Sequence, residues 1–444
     1  MLIVLLILAI VFIVISTTKF KLHPFLALII AAIGYGLCSG IPLDKIISAV
    51  NSGFGSTVSS IGIVIVVGCI IGTFLEESGG AYVMARSVLK VVGEKRVPLA
   101  MLILGYFISI PVYADSGFVI LTPLNRALSK KAKITLASSA CALGLGLTIT
   151  HCLVPPTPGP IAAAGIMEAD LGLVILTGIA ASILPLLVAW LFVTKWASRT
   201  YIDPAPNETD ADIEKKVAEA PSAARSFLPI VVPLVLIVLK SIASFPSAPF
   251  GAGAFAKIIG FIGEPVTALL IGMVLAFTLP KKFDREMLSS TGWVGKALTS
   301  AAIIIMITAA GGSFGMILRE SGIADVLGDS LSSLNLGIWL PFLIAAALKT
   351  AQGSSTVAII TTASIIAPLM GVMGFVAPLE KAILVTALCS GAMVVAHVND
   401  SFFWVVTQMS GMSIKTGYKL HTLGTLLCGL AAMLPMCLLY AIFC

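Results

Sequence analysis

The sequence predicts an all-α polytopic membrane protein built from two inverted repeats, and three observations lead to this prediction. Charged residues make up 11% of the 444 residues and apolar residues 58%, with a mean hydropathy of +1.09. Soluble domains carry about 25% charged residues, so this composition excludes them. The second observation is a set of apolar runs long enough to cross a bilayer as helices, without the alternation of membrane β-strands. The third is an internal repeat.

Segments of the first half return in the second half in the same order. The sequence FLEESGGA at residues 74–81 returns as ILRESGIA at residues 317–324. Further matched pairs are Gly68 with Gly311, Gly72 with Gly315, Asp44 with Asp284, and His151 with His397. The chain therefore consists of two homologous halves, and neither half is expected to form a central site alone.

The first predicted repeat covers residues 1–195. Because Lys and Arg gather on the cytoplasmic side of membrane helices, Lys19 and Lys21 after the first apolar run place the N-terminus outside. Basic residues flank both ends of the segment 97–128, and each of its arms is short for a full span. This indicates a re-entrant hairpin, with its tip at residues 115–117. The other predicted elements are helices at about 2–18, 23–40, 57–75 and 172–194, and a broken helix at about 134–168.

The charged segment 196–226 is predicted to be a solvated cytoplasmic linker. Lys281 and Lys282 end a helix whose repeat partner begins beside basic residues, so the two halves are inverted relative to each other. The elements predicted for the second repeat, residues 227–444, are helices at about 227–244 and 263–280, a hairpin at about 335–370 with its tip near 352–356, and a broken helix at about 382–412. The sum is about ten transmembrane helices plus two hairpins and two broken helices, with both termini outside.

Two polar breaks interrupt apolar runs, one reading THCLVPPTPGP at 150–160 and one reading AHVNDSFFW at 396–404. Two broken helices at corresponding places are typical of the central site of a transporter. Half-helix N-termini with hydroxyls beside them favour a small anion, although small residues are also expected where helices simply pack closely. The candidate substrate-binding residues are Ser116, Thr157, Gln352, Ser354, Ser355, Thr356, Asn399 and Ser401.

Ionisable residues lie at the same hairpins and breaks. The candidates for proton coupling or for a charge pair are Asp115, His151, Lys349, His397 and Asp400. Acids inside a membrane mark ion pathways, so Asp115 or Asp400 would carry a coupling proton. The alternatives are that Asp400 only caps a helix, that Lys349 snorkels to the interface, and that the histidines only hydrogen-bond in packed interfaces. The sequence contains no nucleotide-binding motif, zinc ligand set or cofactor motif, which indicates a secondary transporter without enzymatic activity.

These residues resemble the gluconate:proton symporter family of bacterial inner-membrane permeases. The similar stretches are Lys21–Leu28, Leu75–Ala81, Thr150–His151 with Pro155–Pro160, Gln352–Ala358 and His397–Asp400. Together they span nearly the whole chain. The resemblance implies proton-coupled uptake of gluconate or a related sugar acid across the inner membrane, by an elevator motion of paired hairpins. It also implies a homodimer.

The first hairpin departs from the family pattern. Residues 113–118 read YADSGF, where gluconate members tend to have a bulkier acidic tip without Ser116. This difference predicts a shorter hydroxy acid, such as glycerate or a four-carbon acid. The alternatives are a sodium-coupled carboxylate symporter, a D-serine-type permease of the same family and, remotely, an intramembrane enzyme with Asp115 and Asp400 as an acid pair.

Overall fold

The computed structural model describes residues 2–81, 83–84, 87, 93, 96–110, 113–204, 220–243, 250–251, 253–323, 336–397 and 400–443. These residues are helical and include no β-strand, so the all-α prediction is confirmed. The helices of the first half are α1 (Leu2–Thr18), α2 (Pro24–Cys38), α3 (Leu43–Glu77), α4 (Val97–Ile108), α5 (Ala114–Lys131), α6 (Leu136–Leu153), α7 (Pro158–Ile166) and α8 (Leu171–Lys195).

The second half repeats this arrangement of helices, short hairpin arms and broken helices. Its helices are α9 (Ala223–Ala243), α10 (Ala254–Ile262), α11 (Pro265–Phe277), α12 (Trp293–Glu320), α13 (Trp339–Gln352), α14 (Ser355–Ile366), α15 (Pro378–Gly391), α16 (Ser401–Ser410), α17 (Ile414–Gly417) and α18 (Leu423–Phe443). A π-helical segment, Tyr418–Thr422, joins α17 to α18.

The spans agree with a multi-pass membrane protein. By length and composition five helices within the described residues, or up to seven if each bent pair counts as one span, can cross a bilayer, and α6 with α7 counts there as a single span. This number is smaller than the predicted ten because helices such as α2, with 15 residues, fall short of a full crossing. Apolar side chains such as Val4, Ile183 and Leu438 are well exposed on the outer helices, as lipid-facing residues are.

Three boundaries differ from the sequence predictions. Helix α3 begins at Leu43 instead of near residue 57, because hydroxyls in its polar first half bond to carbonyls of the same helix: Thr57 is buried and donates to the Gly53 carbonyl at 2.8 Å. Helix α10 lies between the predicted helices at about 227–244 and 263–280, where no helix was predicted. The predicted linker is helical from Ala223, while residues 205–219 lie outside the described part.

The tip of the first hairpin lies earlier than predicted. Asp115 is in the first turn of α5, whose N-cap is Tyr113, so the chain turns between α4 and Tyr113 and not at residues 115–117. In the second hairpin Gly353 ends α13 with a φ of 89°, a left-handed conformation that favours glycine. That turn agrees with the predicted tip.

Two groups of helices meet near the centre of the protein. The first, which we call the scaffold, is α2, α3, α11 and α12, and in it a Cβ atom on Gly312 would lie 2.6 Å from the Gly53 carbonyl oxygen. The second group, the hairpin unit, is α4–α7 with α13–α16. Within it α14 packs on α7 and α5 packs on α16, so each hairpin packs against the broken helix of the other half. Helix α3 contacts α7 where the two groups meet.

Candidate functional site

A small cavity, which we call the deep cavity, lies between α3 of the scaffold and two parts of the hairpin unit. Its volume is about 20 Å³, which is room for about one water molecule. The lining residues come from α3, from the turn of the first hairpin and from the break between α6 and α7: Ile65, Gly68, Cys69, Ser109, Ile110, Tyr113, His151, Pro156, Thr157 and Pro158.

The turn of the first hairpin supplies two hydroxyls to this cavity. Ser109 caps the C-terminus of α4, and its buried Oγ has no hydrogen-bond partner among the described residues. The Tyr113 hydroxyl lies 3.1 Å from Cys69 Sγ on α3. A buried hydroxyl without a partner costs free energy, so Ser109 is poised to bond a ligand.

The break between α6 and α7 supplies a third hydroxyl but few backbone donors. Thr157, the N-cap of α7, donates to the Val154 carbonyl at 2.7 Å, which leaves its oxygen able to accept a bond. Pro158 and Pro160 follow, and proline has no N–H group, so Gly159 is the one amide donor among the first three residues of the helix. This N-terminus therefore offers few free N–H groups to an anion.

His151 connects the first break to the second hairpin. Its Nε2 lies 3.5 Å from Thr356 Oγ1, and its buried Nδ1 has no partner within the described structure. Ser354 caps α14 by accepting from Val357 N–H at 3.3 Å, which leaves the amides of Ser355 and Thr356 as the first donors of that helix. The second half thus contributes an anion-favouring helix N-terminus beside the histidine of the first half.

A buried ion pair lies at the second break. Lys349 Nζ is 2.6 Å from Asp400 Oδ2, and the two side chains are only 2% and 9% exposed. Lys349 also donates to the Gly353 carbonyl, so the side chain does not snorkel to an interface. Asp400 is an N-cap as well, because its Oδ1 accepts from Phe402 N–H at 2.9 Å. Both carboxylate oxygens are therefore engaged.

Asp115 completes a cluster of charged side chains. It is half-buried in the first turn of α5 and interacts electrostatically with both Asp400 and Lys349. Among the described residues it forms no ion pair of its own. The cluster thus combines two acids with one base, and one acid lacks a dedicated counter-charge.

The profile of the GntP family permease matches residues 1–442. The chain belongs to the GntP permease family. A gluconate permease of Pseudomonas aeruginosa is 33% identical to it, over 92% of this chain and 91% of that protein. The inner membrane permease YgbN of Escherichia coli is 34% identical, over 94% and 93% of the two chains. The D-serine transporter DsdX of Escherichia coli K12 is 32% identical, over 96% of each.

The fold of this permease also has a solved counterpart. The YdaH transporter of Alcanivorax borkumensis, described as having an unusual topology, matches with a TM-score of 0.67 and 13% identity, over 95% of this chain and 99% of that one. The likeness concerns the fold alone. The permease is therefore a multi-pass inner-membrane transport protein and not an enzyme, and the resemblance seen in its sequence is confirmed. The orientation of its termini and its homodimer stay predictions.

The two repeat-related histidines of the permease differ in their surroundings. His151 lines the deep cavity, whereas His397 Nε2 bonds the Thr350 carbonyl at 2.8 Å and its ring stacks on Tyr418 at 6.4 Å between centroids. Of the other predicted residues, Asn399 and the side chains of Ser116, Gln352 and Ser401 lie outside the described part of the structure.

Sequence reasoning missed four residues of the permease: Cys69, Ser109, Tyr113 and His421. His421 is fully buried in the π-helical segment, and neither ring nitrogen has a partner among the described residues. It interacts electrostatically with Asp400 and Lys349, and its ring meets the Phe402 ring edge-on at 5.6 Å. π-Helical turns are frequent at functional sites, but no local sequence signal marks this one.

Proposed function

We propose that the permease is a proton-coupled symporter that takes up gluconate or a related hydroxycarboxylate. One observation carries this proposal: hydroxyls and an imidazole line the deep cavity, and that imidazole, His151, contacts the N-terminus of α14 and interacts electrostatically with the buried Lys349–Asp400 pair. Neutral donors suit a polyhydroxy acid, and buried acids suit a coupling ion.

The substrate carboxylate is proposed to take the N-terminus of α14, where the amides of Ser355 and Thr356 begin the helix. Its hydroxyls are proposed to bond Ser109, Tyr113 and Thr157. The hydroxyls of this wall favour a polyhydroxy acid over the D-serine alternative.

Substrate binding requires the cavity walls to separate. The deep cavity holds about 20 Å³, too little for a sugar acid, and its walls belong to the scaffold on one side and to the hairpin unit on the other. We infer that the hairpin unit moves against α3 during transport, as an elevator does. The lining includes Gly68, which would let the two groups slide past each other.

Asp115 is the proposed proton carrier. Asp400 is held by Lys349 and by Phe402 N–H, and the ion pair with Lys349 needs its ionised form. Among the described residues Asp115 forms no ion pair, yet it interacts electrostatically with both Asp400 and Lys349. Protonating Asp115 removes a negative charge from the cluster, so the charge balance of the hairpin unit changes with each proton.

The test is uptake of labelled gluconate into proteoliposomes under an imposed inward proton gradient, with a sodium gradient in parallel. Unlabelled glycerate, threonate and D-serine serve as competitors. Proton-driven accumulation of gluconate, or of a shorter hydroxy acid when it is labelled, is the expected result. Uptake that follows only the sodium gradient would refute proton coupling, and D-serine as the single effective competitor would refute the substrate class.

A further inference from the structure

A second and larger cavity, which we call the Arg319 cavity, lies elsewhere on the boundary between the scaffold and the hairpin unit. Its volume is about 170 Å³, or about ten water-sized spheres, compared with 20 Å³ for the deep cavity. It is lined by Ser56 and Thr57 of α3, by Gly312, Gly315, Met316 and Arg319 of α12, by Gly165, Ile166 and Glu168 at the end of α7, and by Ala367 after α14.

The two cavities lie at the two ends of one interface. Along α3 the lining passes from Thr57 in the Arg319 cavity to Ile65 in the deep cavity, and along α7 from Gly165 back to Pro158. At 1.5 Å per residue these separations are about 10 to 12 Å. The same two helices, α3 and α7, therefore line both cavities.

The Arg319 cavity has the polarity of a site for a hydroxy acid. The Ser56 hydroxyl donates to the Gly53 carbonyl at 3.2 Å, so its oxygen can accept a bond from a ligand hydroxyl. Arg319 supplies a guanidinium, which binds carboxylates through two parallel hydrogen bonds. Gly312 and Gly315 also line the cavity, at positions where α12 packs closely against α3 and α14.

The present partner of Arg319 is a weak one. Glu168 Oε1 is 4.0 Å from Arg319 Nη2, and the two side chains are 69% and 51% exposed. Exposed ion pairs of this kind contribute little to stability, so a ligand carboxylate competes readily for the guanidinium. Glu168 also has a φ of 50°, an uncommon conformation for a residue with a Cβ atom, in the connection that leaves the hairpin unit.

We propose that the Arg319 cavity is an outer vestibule for hydroxycarboxylates, in which Arg319 exchanges Glu168 for the substrate carboxylate before the substrate moves along α3 and α7 to the deep cavity. The predicted topology places the start of α3 and the end of α12 on the periplasmic side, where uptake begins. This inference rests on the proposed function, because it needs an acidic substrate. The Arg319–Glu168 ion pair joins the scaffold to the hairpin unit. When the substrate replaces Glu168 as the partner of Arg319, one contact between the two groups is therefore broken.

The first test measures initial rates of gluconate uptake in proteoliposomes. Arg319→Gln is expected to raise KM about tenfold with Vmax within about twofold, and Arg319→Lys to lie between it and the wild type because Lys lacks the planar fork. Glu168→Gln is expected to lower KM, since it removes the competing carboxylate. Lys240→Gln is the matched control: it breaks a 2.6 Å ion pair with Glu264 that does not line the cavity, and KM should not change.

The outcomes separate the two proposals. A wild-type protein that transports no hydroxy acid overturns the proposed function, and the vestibule with it. Normal wild-type uptake with an unchanged KM in both Arg319→Gln and Glu168→Gln overturns the vestibule alone. A change confined to Vmax also overturns the vestibule. An Arg319–Glu168 ion pair that only holds the scaffold and the hairpin unit together would alter the rate of the conformational change and not substrate binding. If Arg319→Gln does not yield folded protein, Arg319→Lys and Glu168→Gln decide.

A second test measures substrate binding in the Arg319 cavity without measuring transport. Ser56→Cys in a Cys38→Ala background places a thiol in the vestibule and removes the exposed native cysteine Cys38. Gluconate should slow labelling of this thiol by a membrane-impermeant maleimide, and Arg319→Gln should abolish that protection. Equal protection with and without the arginine would overturn the proposal.

Discussion

The two helix breaks of this permease occupy corresponding places in its two halves, yet they hold different chemistry. The first break places neutral groups, His151 and Thr157, on the deep cavity. The second holds a buried charge pair, Lys349 with Asp400. A helix break thus has different surroundings in each half, which shows that repeat-related positions need not share a role. We expect substrate hydroxyls to be bound at the first break, and ion coupling to involve Asp115 together with the charge pair at the second break.

The largest expected effect comes from disrupting the charge pair. Lys349→Met leaves the buried Asp400 carboxylate without its counter-charge, which should lower the free energy of unfolding on the order of 3–5 kcal/mol. The measurement is the thermal unfolding midpoint and the yield of monodisperse protein in detergent. The double variant Lys349→Met with Asp400→Asn is the control, because it removes both charges and should recover much of the loss. A single variant as stable as the double one would contradict a buried pair.

The next effect separates coupling from binding. Asp115→Asn keeps the size of the side chain and cannot exchange a proton, so proton-driven accumulation should fall to simple equilibration across the membrane. Exchange of labelled for unlabelled substrate should persist, because the deep cavity is intact. Accumulation that still follows the proton gradient in this variant would move the coupling role to another group, with the buried His421 as the next candidate.

The repeat-related histidines provide a smaller, direct comparison. His151→Gln should raise KM about tenfold, equivalent to about 1.4 kcal/mol, because it alters a group that lines the deep cavity. His397→Gln should leave KM within about twofold, since that ring bonds a backbone carbonyl and stacks on Tyr418. Equal effects on uptake kinetics in the two variants would break the proposed division between the breaks.

The smallest effect tests one hydroxyl. Ser109→Ala removes a donor that has no protein partner among the described residues, so protein stability should be unchanged or slightly higher. If Ser109 bonds a substrate hydroxyl, KM should rise about fivefold, equivalent to about 1 kcal/mol. The same substitution should not affect an acid that lacks that hydroxyl, so a set of deoxy analogues identifies the hydroxyl concerned. A decrease in stability without a change in KM would give Ser109 a structural role only.

Much of the fold could be predicted from the sequence. Apolar run length locates helices such as α1 and α8, and prolines and glycines locate the breaks at Pro155–Pro160 and the turn at Gly353, because these signals are local. The start of α3 was missed since Thr57 bonds a carbonyl of its own helix and packs against Gly312 of α12, which no local pattern reveals. The boundaries 195 and 227 between the repeats stay predictions.

The sequence by itself determined that this is a helical membrane permease with two hairpins and two broken helices, because the bilayer imposes strict rules on length, charge and backbone pairing. It also named Lys349 and Asp400, because charges in apolar runs are rare. Only the tertiary structure decided that these two residues pair, that Ser109 and Tyr113 meet Thr157, and that His421 lies beside the charges. These contacts join residues that are far apart in the chain. Whether such residues meet depends on how the helices pack, and neither composition nor local spacing reveals that packing.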